Sequence, residues 1–169
     1  YPDAGYRLLS LYRYWNIIQY YYPYKNLILS DWKNTIETFI PKIINTSNAQ
    51  EFELAMLELT GKIKDSHAIT RSLIINEYRG YYHVPIKLAI IENKAVIVGF
   101  LSKNIAYEYG LSIGDIVSKI NSTAIEELIR EQLKYSPASN YPTQLRNISI
   151  NLLRTNKHAL DIEIEHENV

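Results

Sequence analysis

Residues 110–125 constrain the local fold of this chain more than any other stretch. They read Gly-Leu-Ser-Ile-Gly-Asp-Ile-Val-Ser-Lys-Ile-Asn-Ser-Thr-Ala-Ile. Gly110 is suited to the positive φ that ends a short helix, and Gly114 with Asp115 predicts a tight turn before a strand. That strand is expected to present Ile116, Ser118 and Ile120 on one face. A second turn at 121–123 and a helix opened by Glu126-Glu127 complete the predicted unit.

The first 64 residues are expected to form three helices. In the first, apolar residues recur at steps of three and four until Pro23 (Leu8, Leu11, Tyr12, Trp15, Ile18, Tyr22). The second begins at Ser30-Asp31 with Ser30 as its cap, and Pro41 should kink or split it. The third begins at Asn48, pairs that cap with Glu51 and stops near Lys64. Eight of the fifteen tyrosines lie within residues 1–24, where helical spacing favours packing over a ligand platform.

After residue 68 the periodicity becomes extended, which predicts an α+β chain with a boundary near Gly80. The predicted domains are a helical segment, 1–79, and a strand-containing domain, 80–169. Expected strands cover 69–75, 85–91, 95–100 and 158–166, and expected helical segments cover 106–109, 126–133 and 143–153.

Composition excludes several classes of function. Lysine plus arginine equal aspartate plus glutamate at 18 each, so the chain has no excess of positive charge with which to bind phosphates. A nucleic-acid partner is therefore not expected. No window approaches the ~20 apolar residues of a membrane span, and no leader precedes Tyr1, which fits a cytosolic chain or a mature secreted product. Cysteine is absent, and His83, His158 and His166 are scattered, so neither a metal site nor a cofactor is expected.

The stretch at 110–125 resembles the GLxxGDxIxxING core of a PDZ domain. With the segments around it, the chain resembles the front part of a C-terminal processing (tail-specific) serine protease of the tricorn-core type. The resemblance covers nearly the whole chain, in order: 6–9, 13–18, 22–25, Asp31-Trp32, Asp65-Ser66-His67-Ala68, the PDZ-like unit and Ser139-Asn140.

This resemblance implies a three-helix cap followed by a PDZ-like, partly open β-barrel with flanking helices. In the family a later α/β domain holds the nucleophilic serine, so a chain ending at Val169 is expected to lack that domain and to be inactive alone. The family also suggests the cell envelope, the periplasm or secretion.

The resemblance implies catalytic roles for Ser66 and His67, with His67 as the general base for the distant serine. A serine hydroxyl is a weak nucleophile until a base within ~3 Å takes its proton, and imidazole suits that role. Two alternatives stay open. His67 can simply stabilise the end of a helix while Asp65 pairs with Lys62 or Lys64, or a lysine of the absent domain can be the base.

The PDZ-like part implies that a polypeptide substrate or a peptide C-terminus binds by strand addition. Arg79, Gly80, Tyr81 and Tyr82 occupy the place of the family's carboxylate loop, followed by Ile86. The loop lacks the second glycine of the family pattern, which argues against tight carboxylate capture. The helix over 143–153 is the expected groove wall. Two other hypotheses are a stand-alone peptide-binding or scaffolding module, and a groove closed by Tyr81 and Tyr82 that acts as a lid.

Overall fold

The structure, a computed structural model, describes residues 1–28 and 31–166, apart from the side chain of Lys103. The cap predicted at Ser30 lies outside the described residues. Seven α-helices occur in this part of the chain: α1 (Ala4–Tyr21), α2 (Trp32–Ile44), α3 (Ala49–Gly61), α4 (Leu73–Arg79), α5 (Lys103–Tyr109), α6 (Ile125–Leu133) and α7 (Tyr141–Leu152). A short 3-10 helix covers Lys25–Leu27.

Seven strands occur in the same residues: β1 (Tyr82–His83), β2 (Ile86–Ile91), β3 (Lys94–Phe100), β4 (Ile116–Ile120), β5 (Thr123–Ala124), β6 (Arg154–Thr155) and β7 (Ile162–Glu165). The α+β class is therefore confirmed. The five-stranded sheet has the order β2-β3-β4-β5 with β7 also paired to β4, and β1 pairs with β6 in a second sheet. Neither sheet closes into a barrel, which is consistent with the open PDZ-like arrangement expected.

The chain divides into two compact units, each with its own core. The helical unit contains residues 1–78 together with Pro137–Ser139, and the strand unit contains 79–136 and the chain from Asn140 onward. The short segment 137–139 thus packs with the helices although it lies between α6 and α7 in sequence.

The helical unit is built around the three helices that the sequence predicts. Its core is apolar and fully buried at Leu11, Phe39, Ile43 and Leu59. Two tryptophans tie α1 to α2, because Trp15 Nε1 donates to the Trp32 carbonyl at 2.9 Å and Trp32 Nε1 donates to the Trp15 carbonyl at 3.2 Å. The N-terminal tyrosines were expected to serve core and domain-interface packing, and the core part is wrong for most of them, since these are exposed: Tyr1, Tyr6, Tyr12, Tyr20, Tyr21 and Tyr24.

Local signals account for the ends of these helices. Asn48 caps α3 by accepting the Glu51 N–H, as predicted, whereas the Glu51 carboxylate accepts the N–H of Ser47, one residue before the cap. Asp31 caps α2 by accepting the Lys33 N–H. The predicted split at Pro41 is wrong, because α2 runs through Pro41 to Ile44 without a break.

The strand predicted over 69–75 is also wrong. Residues from Leu73 onward form α4, whose first turn is held by Ser72: its Oγ accepts the Ile75 N–H at 3.2 Å and its carbonyl accepts the Asn76 N–H at 3.1 Å. Ser72 Oγ also donates to the Glu53 carboxylate on α3. A cap and a tertiary partner therefore override the β propensity of this isoleucine-rich run.

The strand unit follows the turn chemistry of the sequence. Glu92 and Asn93 both have positive φ, so β2 and β3 form a hairpin with Ile91 opposite Lys94. Gly110 closes α5 at φ +63°, and Gly114 has φ +101° before β4, as predicted. The side chain of Asp115 is buried, where it accepts the Ser112 N–H and contacts His166 Nδ1 at 3.0 Å.

The prediction that Ile116, Ser118 and Ile120 share one face of β4 is wrong in part. Its register with β7 shifts between Val117 and Lys119, so the alternation of faces breaks at that point. As a result Val117 and Ile120 both pack in the core, with Ile97 and Ile148 among their neighbours in that cluster.

Candidate functional site

The first candidate site lies in the turn that follows α3 in the helical unit. Helix α3 ends at Gly61, and the N–H of Lys62 donates back to the carbonyls of Leu59 and Thr60. The backbone then passes through a positive φ of 53° at Lys64. A tight turn follows, in which the Ala68 N–H donates to the Asp65 carbonyl at 3.1 Å.

Asp65 organises this turn through both of its carboxylate oxygens. Oδ1 accepts the backbone N–H of His67 at 2.8 Å and lies 3.1 Å from Nδ1 of the His67 ring. Oδ2 accepts the hydroxyl of Tyr22 at 3.0 Å, and Tyr22 lies just past the end of α1. The carboxylate is therefore fixed from two sides and is mostly buried, with 23% of the side chain exposed.

The His67 ring is presented to solvent by the same arrangement. Its side chain is 96% exposed, and among the described residues only Asp65 bonds to the ring. A carboxylate facing Nδ1 favours the tautomer in which Nδ1 carries the proton and Nε2 has a free lone pair. Nε2 is thus open to accept a proton from an external group.

The electrostatics of the turn support a charged Asp65. The His67 backbone N–H holds the pKa of the Asp65 carboxyl below its ordinary value, helped by the Tyr22 hydroxyl and the His67 ring and opposed by burial. Burial raises the pKa of Tyr22, and its hydrogen bond to Asp65 raises that pKa further. Burial also raises the pKa of Tyr14, which feels the Asp65 charge as well. Both tyrosines therefore stay neutral beside the carboxylate.

Ser66 takes part in a different set of contacts. Its N–H donates to Ser139 Oγ at 3.3 Å, the two hydroxyl oxygens lie 3.0 Å apart, and the Ser139 N–H donates to Ser66 Oγ at 3.0 Å. Ser66 and Ser139 therefore bond to each other reciprocally, since each backbone N–H donates to the hydroxyl oxygen of the other residue. Ser66 and Ser139, which come from two separate pieces of the sequence resemblance, are thus in direct contact.

The residues predicted to form a carboxylate loop bond to a neighbouring segment of the strand unit. Arg154 Nε donates to the Gly80 carbonyl at 2.8 Å, and the Tyr81 N–H donates to Asn156 Oδ1 at 3.1 Å. Arg79 Nη2 donates to the Tyr135 carbonyl at 3.4 Å. A peptide carboxylate would have to compete with Asn156 for the Tyr81 N–H.

Tyr82 and Ile86 are placed differently from Arg79, Gly80 and Tyr81. Tyr82 pairs with Thr155 across the β1–β6 ladder and its ring lies 6.0 Å from that of His158, while Ile86 is buried. Tyr81 and Tyr82 are both more than half exposed. Helix α7, the expected groove wall, packs against β2.

Sequence reasoning did not assign roles to Tyr22, Ser139, Arg154 and Asn156. Each acts through a contact with a residue more than 40 positions away, so no local spacing signals it. In residues 1–28 and 31–166 no three acidic or histidine side chains converge to hold a metal ion. No helix of those residues has both the length and the apolar character needed to cross a bilayer.

No protein-family model matches this chain, and no curated protein is significantly similar to it.

Proposed function

We propose that this chain is the substrate-binding and base-supplying part of a serine peptidase. His67 is the general base, Asp65 holds its ring, and the nucleophilic serine belongs to a domain outside these 169 residues. The observation that carries the proposal is the contact of 3.1 Å between Asp65 Oδ1 and His67 Nδ1 on an otherwise exposed ring.

The chemistry follows from that geometry. Nε2 accepts the proton of the serine hydroxyl, and the resulting imidazolium is stabilised by the Asp65 carboxylate on its other side. Because the pKa of Asp65 is lowered, this carboxylate remains charged throughout the pH range in which an imidazole acts as a base. Ser66 holds the turn in place through its hydrogen bonds to Ser139.

Labelling of the complete gene product with a fluorophosphonate probe tests the proposal. The probe reacts with a serine only when a base activates it, so His67→Ala should abolish labelling that the wild type shows. His158→Ala removes another exposed histidine of the same chain and should leave labelling intact. Full labelling of His67→Ala, or a product with no reactive serine, would overturn the proposal.

A stand-alone peptide-binding module is the second candidate, and one observation favours it. In the described residues β2 pairs only with β3, so its other edge has no strand partner. An extended peptide can add to such an edge. Calorimetry with free-acid and amidated forms of one peptide tests this function: tighter binding of the free acid supports reading of a C-terminus, and equal affinity excludes it.

A further inference from the structure

The strand unit contains a cavity of about 630 Å³, and its lining includes Tyr82 and Ile86, two of the residues predicted to bind a peptide. It lies between the β1–β2 segment, α5 and the segment that joins β6 to β7. Helix α7, the expected wall of the peptide groove, contributes no side chain to it. Its apolar lining includes Val84, Ile86, Ile105, Leu111, Leu160 and Ile162.

The lining exposes apolar surface next to the core. Ile105, Leu160 and Ile162 pack against the buried core cluster yet are only half-buried themselves. Pockets for small ligands typically have volumes of roughly 300–1,000 Å³, with apolar walls and a few polar groups. The cavity has the size and lining of a site for a small molecule.

The polar groups that line the cavity include one lysine, Lys157, one acid, Asp161, and two histidines, His83 and His158. The ring nitrogens of His83 already lie 2.6 and 3.0 Å from the carbonyl oxygens of Val84 and Ile150, so that ring is engaged. Lys157 is exposed and forms no ion pair with any residue of the described ranges.

The acid lies at the other end of the same segment. The backbone of Asp161 is fixed to Asn121, whose N–H donates to the Asp161 carbonyl at 2.9 Å and whose Oδ1 accepts the Asp161 N–H at 3.3 Å. Asp161 therefore lies directly before β7, four positions after Lys157. Because Lys157 has no ion-pair partner among the described residues, it is available to the charged end of a ligand.

We propose that this cavity binds a small amphipathic carboxylate, with its apolar body against Leu111, Leu160 and Ile162 and its carboxylate at Lys157. The apolar walls supply most of the affinity, and the ion pair at the rim selects the charged end. Binding of the carboxylate in the cavity requires neither His67 nor peptidase activity.

Calorimetric titration of the 169-residue chain with decanoate, below its micelle concentration, tests the site. Saturable 1:1 binding is expected, with the methyl ester of decanoate binding about fivefold more weakly because it lacks the charge. Absence of saturable binding, or equal affinity for the acid and its ester, would overturn the proposal.

Variants locate the binding within the molecule. Lys157→Ala should weaken decanoate about fivefold and leave the ester unchanged, whereas the matched control Lys94→Ala, an exposed lysine outside the cavity, should change neither. Ala159→Trp places a large side chain at the cavity and should abolish binding of both. If Ala159→Trp binds decanoate normally, or if a free-acid peptide binds in the cavity more tightly than decanoate, the proposal is wrong.

Discussion

At the scale of single residues, Asp65 determines the geometry of the candidate base. Its pKa is lowered in the folded chain, chiefly by the backbone N–H of His67. A carboxyl whose folded pKa lies below its unfolded value of about 3.9 stabilises the fold above that value. The stabilisation is lost as the pH falls through the folded pKa.

Asp65→Asn should therefore lower stability at pH 7, by about 1 kcal/mol, and flatten the pH dependence of unfolding in acid. Urea unfolding followed by circular dichroism, at a series of pH values from about 6 to 2, measures this. The control Asp161→Asn removes an exposed carboxylate from the strand unit. An Asp65→Asn variant with the wild-type acid profile would show that the turn does not depend on the charge.

Gly80 is a second position at which one residue determines the local structure, because the surrounding backbone leaves no space for a side chain. A Cβ built there would lie 2.3 Å from the Thr155 backbone nitrogen, and φ is +101°. Gly114 has the same φ, but nothing lies within 4 Å of its Cβ position. Comparison of the two positions separates steric overlap from backbone strain.

Gly80→Ala should cost roughly 3 kcal/mol or more, whereas Gly114→Ala should cost only the ~1 kcal/mol of its strained φ. Thermal unfolding of both variants measures the difference. Equal losses would mean that β6 moves away from Gly80 without cost, and that the β1–β6 ladder is not a fixed part of the unit.

At the scale of elements, the sequence predicted those structures whose signals are local. The cap at Asn48, the turn at 92–94 and the glycine at 110 each fix their element by contacts within a few residues. The failures have non-local causes. Helix α4 depends on Ser72 with its partner Glu53, and the two-residue strands β1 and β6 exist only because they pair with each other across 71 residues or more.

Helix α2 supports a prediction at this scale. Pro41 lies inside α2 at an exposed position, where it has no N–H to donate to the preceding turn. Pro41→Ala restores that donor and should stabilise the helical unit by about 1 kcal/mol or more. A lowered urea midpoint for Pro41→Ala would instead show that the ring of Pro41 stabilises the fold.

At the scale of the whole molecule, the sequence did not predict the residues that are distant along the chain and bond to the turn of the candidate site. The sequence singled out Ser66 and His67 from a resemblance, and the structure adds the partners of their turn. Tyr22 approaches Asp65 across 43 positions and Ser139 approaches Ser66 across 73. Such contacts depend on how α1 and the segment 137–139 pack within the helical unit, which no periodicity encodes.

The role of His67 is tested most directly by steady-state peptidase kinetics of the complete gene product. His67→Ala should lower kcat about 10²- to 10⁴-fold with little change in KM, because it removes proton transfer and not substrate binding. Asp65→Asn should lower kcat less, since the ring remains but loses its support. A His67→Ala enzyme with wild-type kcat would contradict the assignment of His67 as the base.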